Sequence, residues 1–234
     1  MKNKNLVVVK HNKLIEARYK LDLIEQRVVL ACAAKIVNGK PMPDSLVLTA
    51  EEYVEFFKSD MSNAYKHLQM AAKKLKKRTV IIQDDSNVEH SAIWVSESKY
   101  FKKEGRVELW FSPSIRRYLS EISANFTRYD FKAITKINSN YAIRLYESIT
   151  RFNDTGWWEI SLHDLRWQLG LEEGMYSQFY NFKHRVLDGA VNELNKSTNL
   201  VINYNTIPDP NDKRKVAKIK FTFHEASQQK LPLE

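Results

Sequence analysis

The sequence contains a single cysteine, Cys32, among its 234 residues. One thiol cannot form an internal disulfide, and Cys32 lies within an apolar helical pattern, so we expect it to be a small buried side chain in a reducing cytoplasm. No apolar run approaches the roughly 18 residues that a membrane span requires. Residues 1–13 have neither a long apolar stretch nor a small-residue cleavage site, which predicts that there is no signal peptide.

Motifs for nucleotide, metal or nucleophilic chemistry are also missing. The fragment Gly39-Lys40 is followed by Pro41 and has no partner glycine five residues earlier, which argues against a P-loop ATPase. The six histidines never occur with the spacing His-x-His or His-x-x-x-His, so we expect no metal site and no cofactor. The same absence argues against a rolling-circle nickase, whose metal site uses a His-hydrophobe-His element. The sequence therefore predicts no catalytic residues and a protein that is not an enzyme.

Positive charge is abundant. The chain has 37 Lys and Arg residues against 28 Asp and Glu, a formal net charge of +9, and its 43% hydrophobic and 12% aromatic residues are enough to fill a core. The excess favours an acidic partner, of which nucleic acid is the commonest. It lies entirely in residues 1–150, with 26 basic and 17 acidic residues, because residues 151–234 have 11 of each.

Capping boxes and apolar periodicity predict a mixed α+β chain. A carboxylate or hydroxyl followed three residues later by an acidic residue opens helices at Asp22, Thr49 and Ser161. The predicted helices cover approximately residues 22–38, 50–58, 62–78, 115–122, 139–152, 162–170 and 177–196. Short β-branched or alternating runs predict strands near residues 46–48, 79–82, 93–95, 107–111, 158–160, 200–202 and 217–223.

The order of these elements occurs twice. Four residues at the end of each long helix match at identical spacing, namely Ala71, Leu75, Lys77 and Thr79 with Ala190, Leu194, Lys196 and Thr198. Each half then has a short strand, a short helix, a long helix and a β-hairpin, which is the order of a winged helix. We predict tandem winged-helix domains at residues 1–152 and 153–234. A small α+β fold without DNA-binding activity is the alternative, because a fold alone does not fix function.

The long helix near residues 177–196 carries the candidate base-reading residues. If Phe182, Val186, Ala190 and Leu194 form its buried stripe, a polar face remains on the opposite side of the helix. Lys183 would project nearer to the buried stripe than to that polar face. Arginine and lysine recognise guanine in the major groove, and asparagine and glutamine recognise adenine. The base-reading candidates are Gln178, Asn181, Lys183, His184 and Arg185. A solvated helix face with no DNA contact explains the same pattern equally well.

Contacts to the phosphate backbone are predicted in both halves. Cations at the turn of the second hairpin would extend as a wing, and lysines on the first long helix suit point-charge contact. The candidates are Ser177, Lys213, Arg214, Lys215 and Lys218 in the second half and Lys66, Lys73 and Lys74 in the first.

Residues from about Asn12 to Phe223 resemble the plasmid replication initiator proteins that have two winged-helix domains and bind repeated origin sequences called iterons. The resemblance rests on four segments, which are Leu14-x-x-Ala17-x-Tyr19-x-Leu21 leading into Glu25-Gln-Arg27, Ala64-Tyr-Lys66, Tyr141-Ala-Ile-Arg-Leu-Tyr146, and Tyr176-x-x-Phe179-x-x-Phe182-Lys-His-Arg-Val-Leu187 with Asn192-Glu193. It implies that the second domain makes the main base contacts, through Gln178, Lys183, His184 and Arg185. It implies that the first domain contacts the backbone and mediates dimerisation.

The resemblance also implies a biological role in the bacterial cytoplasm. Monomers would bind iterons in double-stranded DNA, open the origin and recruit a host initiator ATPase and the replicative helicase, while dimers would repress the initiator's own gene. Two other functions remain open from the residues. One is a transcriptional repressor without a replication role, and the other is a DNA-nicking replication enzyme.

Overall fold

A computed structural model describes residues 6–37, 39–83, 88–120 and 122–226. The chain forms two compact units, Met1–Lys136 and Ile137–Glu234. The division lies earlier than the boundary predicted at residues 152 and 153, because the helix Asn140–Thr150 packs against the helix Asp188–Ser197 of the second unit. The boundary at 152 and 153 stays a prediction from the sequence.

The first unit mixes short helices with antiparallel strands. Its elements in chain order are β1 (Val7–His11), α1 (Asn12–Glu16), β2 (Arg18–Tyr19), α2 (Leu23–Ala33), β3 (Leu46–Thr49), α3 (Ala50–Phe57), α4 (Met61–Leu75), β4 (Thr79–Gln83), β5 (Glu89–Ile93), β6 (Val95–Phe101), β7 (Arg106–Phe111), α5 (Pro113–Arg116), β8 (Phe126–Asp130) and α6 (Phe131–Ile134). The strands pair in the orders β1-β8, β2-β4-β5 and β3-β7-β6. Helices α2, α3 and α4 pack against one another beside these sheets.

The second unit follows a simpler plan. Its elements are α7 (Asn140–Thr150), β9 (Trp157–Ser161), α8 (Leu162–Gln168), α9 (Phe179–Phe182), one turn of π-helix (Lys183–Leu187), α10 (Asp188–Ser197), β10 (Leu200–Pro208) and β11 (Val216–Glu225). The strands form one antiparallel sheet in the order β10-β11-β9. Phe221 and Ile219 of β11 are fully buried and face the core that the helices cover.

The two units share a topology, which confirms the predicted duplication. In each, a short strand precedes the helix pair and then pairs with the last strand of the hairpin, giving β3-β7-β6 in the first unit and β9-β11-β10 in the second. The matched residues also lie in equivalent places, since Ala71 and Ala190 are buried on the long helices and Leu75 and Leu194 are fully buried one turn later. The predicted α+β class with tandem winged helices is confirmed.

The predicted caps are present. The Asp22 and Thr49 side chains accept hydrogen bonds from the amides of Glu25 and Glu52, and both glutamates accept a bond from the cap amide in return, so both capping boxes are complete. Ser161 likewise accepts from the Asp164 amide at 3.0 Å. Several helices are shorter than predicted. The helix α2 ends at Ala33 and α5 ends at Arg116, whereas the apolar patterns continued to residues 38 and 122.

Gly105 lies in the turn between β6 and β7, where this turn packs on α4. A substitution at Gly105 therefore tests how tight that packing is. Gly105 has φ +57°, and an added Cβ would overlap the Tyr65 ring. We expect Gly105→Ala to lower the free energy of unfolding by about 2 kcal/mol, through left-handed strain plus displacement of Tyr65. Gly39→Ala is the matched control, because Gly39 has φ +75° and nothing within 4 Å of an added Cβ. Equal losses in denaturant titrations of the two variants would show that the contact with Tyr65 is unimportant.

A buried ion pair lies inside α7. The guanidinium of Arg144 is 3.6 Å from a carboxylate oxygen of Glu147, and the two side chains are 4% and 0% exposed. Arg144 also donates to the carbonyl oxygen of Gln168, from Nε at 3.1 Å and from Nη2 at 2.6 Å. Gln168 is the last residue of α8, which is the first helix of the helix pair in the second unit. Arg144 therefore fixes the end of α8.

Within the residues that the structure describes, no helix is both long enough and apolar enough to cross a membrane.

Candidate nucleic-acid interface

The turn between α8 and α9 sets the position of the second long helix. Arg166 on α8 donates to the carbonyl oxygen of Tyr176 at 3.1 Å and to that of Met175. Its guanidinium carbon lies 5.2 Å from the centre of the Phe182 ring. One side chain therefore ties the turn to α8 and contacts the first buried residue of the following helix.

The helix after this turn is not regular. The sequence predicts one helix over residues 177–196, whereas the structure has α9, the π-turn and α10 in succession, with the amide of Asp188 donating to the carbonyl oxygen of Lys183. The predicted buried stripe is confirmed, since Phe182, Val186, Ala190 and Leu194 are at most 3% exposed. A π-turn brings residues i and i+5 into line, so the polar side chains before and after it meet in a way that a 3.6-residue period does not predict.

The opposite face carries exposed polar side chains. Gln178 and Arg185 are exposed, and Asn181 is half-buried and donates weakly to the Gln178 side chain at 3.4 Å. Arg185 has no hydrogen bond or ion pair with any residue that the structure describes. Its guanidinium is therefore available for an external acceptor. Tyr180 on the same face is 69% exposed, and no sequence pattern had indicated it as a site residue.

Lys183 and His184 differ from the exposed Arg185, because both contact the carboxylate of Asp188. Lys183 Nζ is 2.9 Å from Asp188 Oδ2, and His184 Nδ1 is 3.0 Å from the same oxygen. The hydroxyl of Tyr204 on β10 donates to the other oxygen, Oδ1. The sequence placed Lys183 near the core, and the π-turn is the reason that it instead reaches a carboxylate five residues later.

The ionisation of this cluster follows from its contacts. Burial opposes the charge on Asp188, but hydrogen bonds from Tyr204 and Lys183 outweigh it and hold the pKa of Asp188 below its ordinary value. Burial, with the neighbouring carboxylate, raises the pKa of Tyr204 to about 12. At neutral pH the cluster therefore contains an anionic Asp188 and a protonated Tyr204.

The wing is attached to the long helix by side chains. The Asn195 amide donates to the carbonyl oxygen of Ile202 at 2.9 Å and accepts from the Ile202 amide at 2.7 Å, as a neighbouring strand would. With the bond between Asp188 and Tyr204, α10 and β10 are joined at two points. The exposed wing turn between β10 and β11 is therefore held in a defined position relative to the helix.

Within the wing turn, carboxylates organise the backbone and leave the cations outside. Asp212 accepts from the Arg214 amide at 3.2 Å and lies 3.1 Å from Arg214 Nε and 3.6 Å from Lys215 Nζ. The side chains of Arg214 and Lys215 remain 91% and 75% exposed, and Lys213 is also exposed. Lys218 is 3.0 Å from Glu159 on β9 and 52% exposed. The predicted wing cations thus lie together at one end of the sheet.

The predicted lysines of the first unit do not form one group. Lys66 and Lys73 are exposed on α4, but Lys74 Nζ lies 2.7 Å from Asp22 Oδ2, next to the ion pair of Arg78 with the buried Glu25. Burial opposes ionisation of Asp22, but hydrogen bonds from Lys74 and the Glu25 amide hold its pKa below the ordinary value. Lys74 therefore stabilises the start of α2, and Lys66 and Lys73 are the lysines free to meet a phosphate.

Two contributors to the second-unit face were not predicted, Asp188 as an organiser and Tyr204 as its partner on the wing strand. Asp188 was visible in the sequence as a polar residue of the helix, but Tyr204 lies 16 residues later, so only the tertiary structure joins them. Ser177, predicted to contact the backbone, is exposed just before Gln178. No group of three or more His, Cys, Asp or Glu side chains suited to a metal ion occurs among the described residues.

Known proteins resemble this chain in both sequence and fold. A family model described as Initiator Replication protein, WH1 matches residues 7–150, and one described as Initiator Rep protein, WH2 matches residues 161–223. An uncharacterized 27.6 kDa protein of Escherichia coli is 24% identical over 215 residues, covering 86% of this chain and 90% of that protein. A replication initiation protein of Escherichia coli is 27% identical over 205 residues, covering 83% of this chain and 64% of that protein, just under two thirds of its length.

The crystal structure of Pi initiator protein in complex with iteron DNA has the same fold. Its TM-score is 0.79 at 24% identity, over 94% of this chain and 98% of that one. The match to the WH1 model alone spans more than half of the 234 residues, and the WH2 model matches the unit that follows. The chain therefore belongs to the Initiator Replication protein family, with its WH1 and WH2 winged-helix domains.

Proposed function

We propose that this chain initiates plasmid replication by binding repeated origin sequences in double-stranded DNA, as a binding protein and not as an enzyme. The helix after the turn in the second unit would enter the major groove, and the wing would contact the phosphate backbone. The Pi initiator, which has the same fold, was crystallised with iteron DNA. A replication initiation protein is among the curated relatives.

The observation that carries the proposal is the state of Arg185. It is exposed on the face opposite the buried stripe and has no partner among the described residues, while Lys183 beside it is held by Asp188. A guanidinium can make two parallel hydrogen bonds to O6 and N7 of guanine. A helix face that served only to keep the protein soluble would not require one cation to be paired while its neighbour stays unpaired.

Host partners and self-association complete the proposal. Lys66 and Lys73, two exposed lysines of the first unit with no hydrogen bond or ion pair among the described residues, would add non-specific attraction to the backbone. We propose further that the first unit mediates dimerisation, that dimers repress the initiator's own gene, and that a host ATPase and the replicative helicase join the opened origin in the bacterial cytoplasm. The family membership and the absence of a P-loop motif in the sequence support this division of labour.

Selection from a library of random duplexes tests the proposal. The full chain should enrich one sequence, and that sequence should occur as direct repeats at the origin of the plasmid that encodes the protein. Footprinting on that origin should then protect each repeat. Enrichment of no sequence would contradict the proposal, and so would a sequence absent from the origin.

The alternatives make different predictions in the same system. A transcriptional repressor would bind an operator but would not support replication of a plasmid that lacks its own initiator. A nicking enzyme would convert supercoiled origin DNA to the open circular form in the presence of magnesium, whereas we expect no conversion. These two assays separate binding, replication and cleavage.

The double variant Arg214→Ala/Lys215→Ala tests the wing. We expect the slope of log Kobs against log salt concentration to become shallower by roughly 0.9 for each phosphate that the wing no longer neutralises. Folding should change little, because ion pairs this exposed contribute at most about 1 kcal/mol. Lys196→Ala is the control, because it removes a cation from the far end of α10 and should leave the slope unchanged. An unchanged slope in the wing variant would show that the wing does not touch the backbone.

A further inference from the structure

His184 contacts Asp188 through one defined ring nitrogen. Nδ1 lies 3.0 Å from Asp188 Oδ2. An ionised carboxylate only accepts hydrogen bonds, so Nδ1 must carry a hydrogen in this contact. In a neutral imidazole the other nitrogen, Nε2, then carries a lone pair and no hydrogen. The contact therefore decides what the rest of the ring offers to a ligand.

The free side of the ring belongs to the proposed DNA-binding face. The His184 side chain is 49% exposed and lies next to Arg185 along the helix. Nε2 has no hydrogen-bond partner among the described residues. The Tyr180 ring packs against the imidazole with centroids 4.4 Å apart and planes at 70°, which restricts its rotation. Asp188 and Tyr180 thus hold the ring in place, and Nε2 remains available to a ligand.

We infer that Asp188 is a positioning residue that makes neutral His184 a hydrogen-bond acceptor toward DNA, so that His184 selects a base with an exocyclic amino group. This inference rests on the proposed function. In the major groove, adenine N6 and cytosine N4 carry hydrogens to donate, whereas guanine presents only the acceptors O6 and N7. Arginine or lysine at the same place can only donate.

The groups that face His184 come from its own helix and from the wing strand. Asp188 accepts from His184 Nδ1 and also from Lys183, and Arg185 is the next residue along the helix. Tyr204 on β10 donates to Asp188, and Tyr180 contributes a neutral ring. Nε2 is therefore the nitrogen of the ring that remains for a base.

The test is the duplex selection proposed for the whole protein, run in parallel with the wild-type full chain and with His184→Arg. For the wild type we expect one position of the enriched sequence to prefer adenine or cytosine about fivefold or more. His184→Arg should prefer guanine at that position, because a guanidinium can only donate hydrogen bonds.

Variants around the carboxylate separate positioning from folding. Asp188→Asn should lose most of the preference at that position, because an amide can donate to Nδ1 as well as accept from it. Tyr204→Phe is the matched control, since it removes a neighbour of Asp188 but keeps the contact with His184. Recovery of the guanine preference assigned to Arg185 in each variant would show that the domain is folded and docked.

Two results would overturn the inference while leaving the proposed function intact. One is a wild-type selection that shows no preference for adenine or cytosine at the position that His184→Arg changes. The other is an Asp188→Asn variant with the wild-type preference at every position. Failure to enrich any sequence would be a different result, because it would contradict the proposed function itself.

Discussion

Replacement of Glu147 by alanine is expected to lower the free energy of unfolding of the second unit by about 3–5 kcal/mol, because it removes a carboxylate that lies 3.6 Å from the buried guanidinium of Arg144. Both side chains are almost completely inaccessible. Arg144 would still donate to the Gln168 carbonyl, but a neutral carbonyl compensates a buried positive charge less well than a carboxylate does. The destabilisation should reach the proposed DNA-binding face, because Gln168 ends the helix that precedes the turn.

Hydrogen exchange followed by peptide mass spectrometry resolves this effect. Protection should fall in peptides from residues 137–226 and should be retained in those from residues 6–136, since the two units are separate compact bodies. Glu173→Ala is the matched control, because it removes an exposed carboxylate of the same unit. A double variant, Arg144→Met/Glu147→Leu, should recover much of the stability, since it removes both charges together. Equal protection in Glu147→Ala and Glu173→Ala would show that the pair contributes nothing.

Replacement of Arg185 by alanine is expected to weaken binding to the selected sequence by about 1–3 kcal/mol, or about 5- to 150-fold, and to relax the preference for one guanine. Affinity for random duplexes should change much less, because only one of many cations that attract phosphate is removed. Arg185 is exposed, so its truncation should leave stability within about 0.5 kcal/mol.

Arg185→Lys supplies the matched control. Lysine keeps the charge but cannot form the two parallel bonds of a guanidinium, so this variant should retain the affinity for random DNA and lose part of the guanine preference. Fluorescence anisotropy with the selected and a scrambled duplex measures both quantities. An equal reduction in affinity for the two duplexes in Arg185→Ala would mean that Arg185 contacts phosphate alone.

Much of the fold was predictable because its signals are local. The caps at Asp22, Thr49 and Ser161 each depend on residues within one turn, and all three occur in the structure. The buried stripe from Phe182 to Leu194 follows from helical periodicity, which residues facing one core must obey. The duplication was predictable for the same reason, since matched residues at equal spacing occupy equivalent helix ends.

The side-chain contacts that could not be predicted depend on a shift in helical phase or on partners that are far apart in the sequence. Lys183 was placed near the core because a regular helix was assumed, and the wider π-turn carries it to Asp188 instead. Lys74 was assigned to the backbone from its helix face, yet it pairs with Asp22, 52 residues earlier. Arg144 and Glu147 lie in an amphipathic pattern, and only the packing of the second unit shows that the charged side of that helix is buried as well.

The two-point attachment of α10 to β10 has a consequence for the shape of the DNA. Because the Asn195 amide and the contact between Asp188 and Tyr204 hold the helix and the wing strand together, we expect the distance between the proposed groove-reading residues and the wing turn to vary little. A duplex whose groove width does not suit that distance must itself bend or narrow, and the energy of doing so depends on base sequence. In the bound state, base pairs that no side chain touches would then influence affinity through their stiffness.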